Sequence, residues 1–515
     1  MSAGSGIPPG PTGATGYPVS GGLPSPTGAT GYPASGGLPG PTTAPGSAES
    51  GDHPPVRRWR AELAWLPGRG VRAGVLIEAV GRYFTSVTPD VPQHDCPAGT
   101  VHLPGMTLPG LANAHSHAFH RALRGTVQAG QGTFWTWRER MYDVAERLDP
   151  DSYLALARAV YAEMALAGIT CVGEFHYLHH DRGGARYSDP NQMGRVLIDA
   201  AALAGVRITL LDACYLSGGL ASDGTAEPLV GAQLRFGDGD GDRWAKRVDG
   251  LGADAHGALA AHARAGVAIH SVRAVPPGQM RPVISWSHAH GAPVHAHLSE
   301  QVAENQVCLA AHGVTPTQLL DRMGALGPRS TMVHATHVLG GDVELLGGSR
   351  TVVCLCPTTE ADLADGIGPA RALAAAGCPL SLGSDSHAVI DLLEEARRVE
   401  MGERLMTGQR GNFRTAELAQ AATVAGHACL GWPEAGEIAA GALADLVTVA
   451  LDTPRMAGAA AGTALEWLIF AGTAADVRSV VIGGEDVVTD GRHLLVDDVP
   501  AALAAAIRHL LTPAS

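Results

Sequence analysis

The sequence predicts an α/β protein: a (β/α)8 TIM-like barrel with a small β-sandwich domain built from its N- and C-terminal segments. Three observations predict this. Eight short apolar runs alternate with longer amphipathic stretches between residues 107 and 440. Runs with the two-residue alternation of half-buried strands flank them, over 53–106 and 441–497. Reactive side chains gather where the apolar runs end, which is where a barrel carries its chemistry.

Taken in order, residues 1–52 form a tail rich in Gly, Pro, Ser and Thr, in which Pro-Thr-Gly-Ala-Thr-Gly-Tyr-Pro occurs at 11–18 and again at 26–33. Such a segment buries too little surface to offset its ordering entropy, so disorder is expected. The alternating runs at 74–80 and 100–104 are expected as strands of the β unit, joined by those at 444–451 and 477–484. The barrel strands are expected at 108–115, 169–174, 207–213, 267–273, 293–298, 331–335, 351–356 and 380–385. The helical stretch at 151–167 places Leu154, Ala157, Val160 and Tyr161 on one face, and Gly168 stops it. Residues 498–515 are expected as a C-terminal helix.

Composition narrows the function. The chain has 515 residues, 45% hydrophobic and 17% charged, which excludes a wholly disordered protein. A net charge of -14 argues against nucleic-acid binding, because phosphate neutralisation needs a basic face. The eight cysteines are scattered and give no disulfide framework. No basic and apolar leader follows Met1, and no apolar stretch reaches the roughly 18 residues of a membrane span. A reducing cytoplasm and no membrane partner are therefore expected. Lys246 is the only lysine, whereas histidine has 23 copies, most of them between His115 and His387.

The most informative stretch is Asn113-Ala-His115-Ser-His117-Ala-Phe-His120, ending the first barrel strand. Residues two apart on a strand share a side, so His115 and His117 can reach one metal ion. His297 and Glu300 end the fifth strand and can set an imidazole on the metal with a carboxylate beside it. His295 is expected deeper, as a hydrogen-bonded core histidine. His334 ends the sixth strand and Asp385 the eighth, where an Asp can bind the ion and accept a proton from water. His176, His179, His180, His288, His290 and His337 are expected as supporting or structural residues. The run 238–242, Asp-Gly-Asp-Gly-Asp, lacks the Gly and Glu of a calcium loop, and a flexible loop is expected there.

The order His-x-His, His, His, Asp resembles the amidohydrolase superfamily. Members with two metals usually bridge them through a carbamylated lysine on strand four, and no lysine lies there, so the resemblance implies a single-metal, deaminase-like site. Closer still, Asn113-Ala-His-Ser-His-Ala-Phe, Phe134-Trp-Thr-Trp-Arg-Glu, Gly173-Glu-Phe-His-Tyr-Leu-His-His-Asp, His270-Ser-Val-Arg-Ala-Val, His297-Leu-Ser-Glu-Gln and Gly383-Ser-Asp-Ser-His resemble the formimidoylglutamate deiminase family. That resemblance implies hydrolysis of N-formimino-L-glutamate to N-formyl-L-glutamate and ammonia, in histidine degradation. It implies one divalent ion, zinc or iron, on His115, His117, His297 and Asp385. Glu300, His334 and Asp385 would be catalytic. Arg138, Tyr177, His270 and Arg273 would bind the dicarboxylate substrate, with His120 standing where the family commonly has glutamine. A homodimer is implied as well. The alternatives are a purine or other heterocycle deaminase and a catalytically inactive barrel kept for binding.

Overall fold

The computed structural model describes residues 55–128, 132–253 and 261–512. The tail expected over 1–52 lies outside the described residues.

Eight parallel strands run in chain order around the barrel: Leu111–Ser116, Ile169–His176, Arg207–Cys214, Ala263–Ile269, Val294–Leu298, Ser330–His334, Val352–Leu355 and Leu380–Leu382. Each expected strand is present. The fourth starts four residues earlier than its expected start at 267, because Ala263, Arg264 and Ala265 pair with the third strand, and it ends just before His270. The first and eighth strands meet through a parallel bridge between Ser116 and Asp385, which closes the barrel. Helix Pro150–Leu166 has Asp149 accepting from the Ser152 N–H at 2.8 Å and Pro150 in its first turn. It buries Tyr153, Leu156, Val160 and Tyr161, with Leu154 only half-buried, and Gly168 leaves it at φ +86°. Helix Val499–Leu511 packs against it.

Strands from both chain ends form one eight-stranded sheet. Its order is Arg492–His493, Glu485–Thr489, Val477–Ile482, Leu446–Val449, Val101–Pro109, Val56–Leu66, Gly70–Val80 and Tyr83–Thr88. The sheet curls over: its last strand returns to bridge Leu443, just ahead of Leu446–Val449. The curl encloses a separate core of Trp59, Ile77, Phe84, Leu446 and Val481. One sheet thus supplies both layers of the expected β unit. No helix among the described residues is long and apolar enough to cross a membrane.

The two parts join at a tight seam. Strand Val101–Pro109 passes through Gly110 directly into the first barrel strand, and a Cβ on Gly110 would stand 2.3 Å from the Thr170 hydroxyl. Beside it, buried Asp445 pairs with buried Arg207 at the start of the third barrel strand and accepts from the Gly483 N–H at 2.8 Å. Removing one partner of such a pair strands the other charge in a medium that cannot solvate it. Asp445→Ala is expected to lower stability by about 3–5 kcal/mol, read as a drop in the urea or thermal midpoint.

Candidate active site

The barrel closure places the first cluster. Asp385 N–H donates to the His115 carbonyl at 3.0 Å, and His117 N–H donates to the Asp385 carbonyl at 3.3 Å. The same backbone links bring the side chains together. Asp385 Oδ1 lies 3.3 Å from His115 Nε2 and 3.4 Å from His117 Nε2, and His297 Nε2 lies 3.2 Å from His115 Nε2. All four side chains are buried. His117 Nδ1 faces the Phe175 carbonyl at 2.9 Å and His297 Nδ1 faces the His270 carbonyl at 2.8 Å. A carbonyl only accepts, so each ring carries its hydrogen on Nδ1 and turns a bare Nε2 inward. Burial, then neighbouring imidazoles, hold both rings well below the usual histidine range, and so neutral. Burial pushes Asp385 up, but His115, His334 and His117 more than offset it and hold it ionised.

Bare imidazole nitrogens therefore face a carboxylate oxygen and one another. His115 has a single ring hydrogen, and its Nδ1 has no partner, so it can serve only one of these acceptors. A divalent cation among the three imidazoles and Asp385 satisfies all of them, and the donor set suits zinc or iron.

Glu300 and His334 stand next to this cluster. His334 Nε2 is 3.7 Å from Glu300 Oε1 and 3.8 Å from Asp385 Oδ2, while its Nδ1 faces Glu360 at 3.4 Å. Burial alone would lower His334, but Glu300, Glu360 and Asp385 raise it well above its ordinary value. Burial raises Glu300, opposed by His334 and Arg273. The backbone here is forced: Ser299, His334, Ala335, Asp385 and His387 all have positive φ, between 42° and 72°. Such conformations cost about 1–3 kcal/mol each and persist where the surroundings over-determine them.

A cavity opens onto these groups. Helix Phe134–Arg147 lines it with Phe134, Trp137, Arg138, Met141 and Tyr142, one face at helical spacing. The helix starts on Thr133, which accepts from the Thr136 N–H. Tyr177, Tyr215, His270 and Arg273 line it from the strand ends. Arg138 stacks 4.7 Å from the Trp135 ring, and Arg273 donates from Nε to Glu304 at 2.8 Å. The cavity thus combines a candidate cation site, a carboxylic acid, a raised imidazole and two guanidinium groups.

The amidohydrolase family pattern matches residues 106–487. The chain belongs to the amidohydrolase family. It is 37% identical over 446 residues to a formimidoylglutamate deiminase from Pseudomonas aeruginosa, covering 84% of this chain and 95% of that one. It is 30% identical over 398 residues to an 8-oxoguanine deaminase from the same organism, covering 76% and 83%. A crystal structure of an amidohydrolase from Brucella melitensis superposes with a TM-score of 0.81 at 33% identity, over 88% of this chain and all of that one. The protein is a metal-dependent hydrolase acting on C–N bonds.

In this amidohydrolase the sequence-predicted residues His117, His120, Arg138, Tyr177, His270, Arg273, His297, Glu300, His334 and Asp385 all line one cavity, and His115 lies directly behind. His120 faces the Tyr177 hydroxyl through Nε2 at 2.9 Å, and burial lowers it to about 3. His295 faces the Cys429 carbonyl at 3.2 Å, a core role. Lys246 is exposed on helix Gly241–Ala253, away from the fourth strand. His176, His179 and Asp212 also converge, but Arg247 grips both Asp212 oxygens at 2.7 and 2.8 Å and already supplies the positive charge. The run 238–242 corrects the expectation of a flexible loop: Asp238 is buried against Arg247 at 3.0 Å, and the helix begins at Gly241.

Sequence reasoning missed Glu360 beside His334 and four further carboxylates and phenols. Tyr142 is one turn beyond Arg138, so the period that put Arg138 in the cavity also points to it. Tyr215 directly follows the third strand, where strand-end logic would have found it. Glu304 holds both Arg273 and, at 2.8 Å, the Ser299 N–H. Glu174 accepts from the Ser116 hydroxyl and the Ala118 N–H, each at 2.7 Å, bracing the stretch that carries His115 and His117. Burial raises Glu174 to about 7. Glu174→Ala leaves the buried Ala118 N–H unpaired, at about 1–3 kcal/mol, and leaves the Ser116 hydroxyl only His387 Nε2 at 3.1 Å. The expected result is a lower melting midpoint together with less metal retained after dialysis.

Proposed function

We propose that the protein is a formimidoylglutamate deiminase: it hydrolyses N-formimino-L-glutamate to N-formyl-L-glutamate and ammonia, in histidine degradation. The observation that carries this reading is the pair Arg138 and Arg273 on the wall of the cavity that also holds His117, His297 and Asp385. Two planar guanidinium groups suit two substrate carboxylates, whereas a neutral purine has no use for both. Similarity to the Pseudomonas deiminase points the same way.

His115, His117, His297 and Asp385 would hold one divalent cation, zinc or iron. When bound, that cation supplies Lewis acidity that favours attack by water on the formimino carbon. Asp385 takes a proton of the attacking water, and His334, which keeps its own proton among Glu300, Glu360 and Asp385, orients that water. Glu300 gives its proton to the imino nitrogen as water adds, the proton held by Asp385 follows as the C–N bond breaks, and the proton of the new hydroxyl returns to Glu300, so that ammonia leaves and a formyl carbonyl remains. Tyr177, His270 and His120 complete the wall around the substrate, and the arginines place the reacting carbon through binding energy spent away from it.

Ammonia release measured with formiminoglutamate beside 8-oxoguanine, guanine and adenosine tests this reading. Turnover of formiminoglutamate alone is expected, and preferred turnover of a purine overturns it. Glu300→Gln is expected to keep its metal and lose about 10²–10⁴-fold in kcat, the usual share of a general acid. Arg138→Ala is expected to raise KM about tenfold or more with a smaller change in kcat, since its bonds form before the reaction does. His297→Ala should fall well below one metal per chain by elemental analysis.

A further inference from the structure

The cavity contains two phenols, Tyr142 and Tyr215, to which neither the resemblance nor the proposed mechanism gives a task. Both touch the same buried side chain, Gln233. Its Nε2 donates to the Tyr142 oxygen at 3.0 Å, to the Tyr215 oxygen at 3.4 Å and to the Gly218 carbonyl at 3.3 Å. Its Oε1 accepts from the Val230 N–H at 3.1 Å. The orientation of this amide is fixed from both ends, because a backbone N–H can only donate and a carbonyl can only accept. Nε2 therefore faces the phenols as a donor: of its two hydrogens one serves the Gly218 carbonyl and the other is shared by the phenol oxygens.

The hydrogen count then decides where the phenol hydrogens go. Two phenols carry two hydrogens. One can bridge the pair; the other has no acceptor in the Gln233 group and must point into the cavity that both rings line. Burial, then the neighbouring Tyr142 phenol, hold Tyr215 above the usual phenol range, and Arg138 and Arg273 only partly offset them, so Tyr215 keeps its hydrogen. The turn that carries Gln233 is itself pinned. Arg235 donates to the His180 carbonyl at 2.9 Å and to the Leu148 carbonyl at 2.8 Å, tying the turn to the end of the helix that bears Arg138 and Tyr142.

We infer that Tyr142 and Tyr215 are carboxylate-binding residues, with Gln233 as the positioning residue that turns a phenol hydrogen toward the anion held by Arg138 and Arg273. The inference rests on the dicarboxylate reading of the site and adds a specificity element to it. A guanidinium attracts any anion; a phenol hydrogen at a set place discriminates among anions by shape.

Glutarate, a dicarboxylate that cannot react, is the probe, and calorimetric titration of the zinc-loaded protein is the measurement. Tyr142→Phe/Tyr215→Phe keeps the rings and removes only the hydroxyls. It is expected to weaken glutarate binding about tenfold or more, and to raise KM for formiminoglutamate by a similar factor with a smaller change in kcat. Gln233→Met is expected to weaken glutarate binding several-fold in the wild-type background and to have no further effect in the double phenylalanine background, because it acts only through the phenols. Equal glutarate affinity in wild type and the double variant overturns the inference, as does wild-type protein that does not bind glutarate, or an additive effect of Gln233→Met. The two readings fail separately. Glutarate binding lost in the variants of a protein that does not turn over formiminoglutamate sinks the substrate while leaving the phenols in place. Unchanged affinity in a protein that does turn it over does the reverse.

Discussion

The barrel closes through two backbone hydrogen bonds, and the rest of the site depends on them. They join His115 to Asp385 and Asp385 to His117. The residues that complete the sheet are therefore the same ones whose side chains converge at its mouth. Their spacing cannot drift without opening the barrel. Second contacts then aim the rings: the Phe175 and His270 carbonyls hold the hydrogens of His117 and His297 on the outer nitrogens, leaving bare lone pairs that face the Asp385 carboxylate and the His115 ring. This arrangement is unfavourable unless a cation sits within it, which is the physical sense in which the fold is built around a metal.

Around that point the charges are arranged in opposition. Glu300, Glu360 and Asp385 surround His334 and hold it high despite burial, while Arg138 and Arg273 add to the burial that keeps His270 neutral. Acidic groups thus gather on the side where protons move, and fixed cations on the side proposed to bind an anion. The positive φ values at Ser299, His334 and Asp385 are the local cost of aiming three strand ends at one place. Arg273 belongs to both sides, because Glu304 ties it to the Ser299 backbone next to Glu300. Substrate binding and proton delivery share one rigid corner.

Much of this could be read from the residues. Strand count and order followed from apolar runs, since a strand buried on both faces is written as continuous hydrophobicity. His115, His117, His297, His334 and Asp385 could be found because reactive residues recur at the ends of the first, fifth, sixth and eighth strands, where mere packing calls for none. The fourth strand was misplaced by four residues because Ala263, Arg264 and Ala265 do not stand out as apolar. Glu174, Glu360 and Gln233 were not legible: each acts through a partner that only the fold brings near, the Ser116–Ala118 stretch, the His334 ring and two phenols respectively, and a lone buried Glu or Gln carries no local periodicity. The run 238–242 misled for the opposite reason, since its Asp and Gly content looks mobile until Arg247 is seen to neutralise Asp238. Only tertiary structure supplies that partner.

One cation and one dicarboxylate are expected to share this cavity in a fixed orientation. Anomalous diffraction at the zinc edge from Glu300→Gln crystals soaked with N-formimino-L-glutamate tests it most directly. The expected result is a single anomalous peak among His115, His117, His297 and Asp385, with the formimino carbon turned toward it and the carboxylates on Arg138 and Arg273. A peak at His176, His179 and Asp212 instead, or a ligand whose carboxylates point at the histidine cluster, would contradict it.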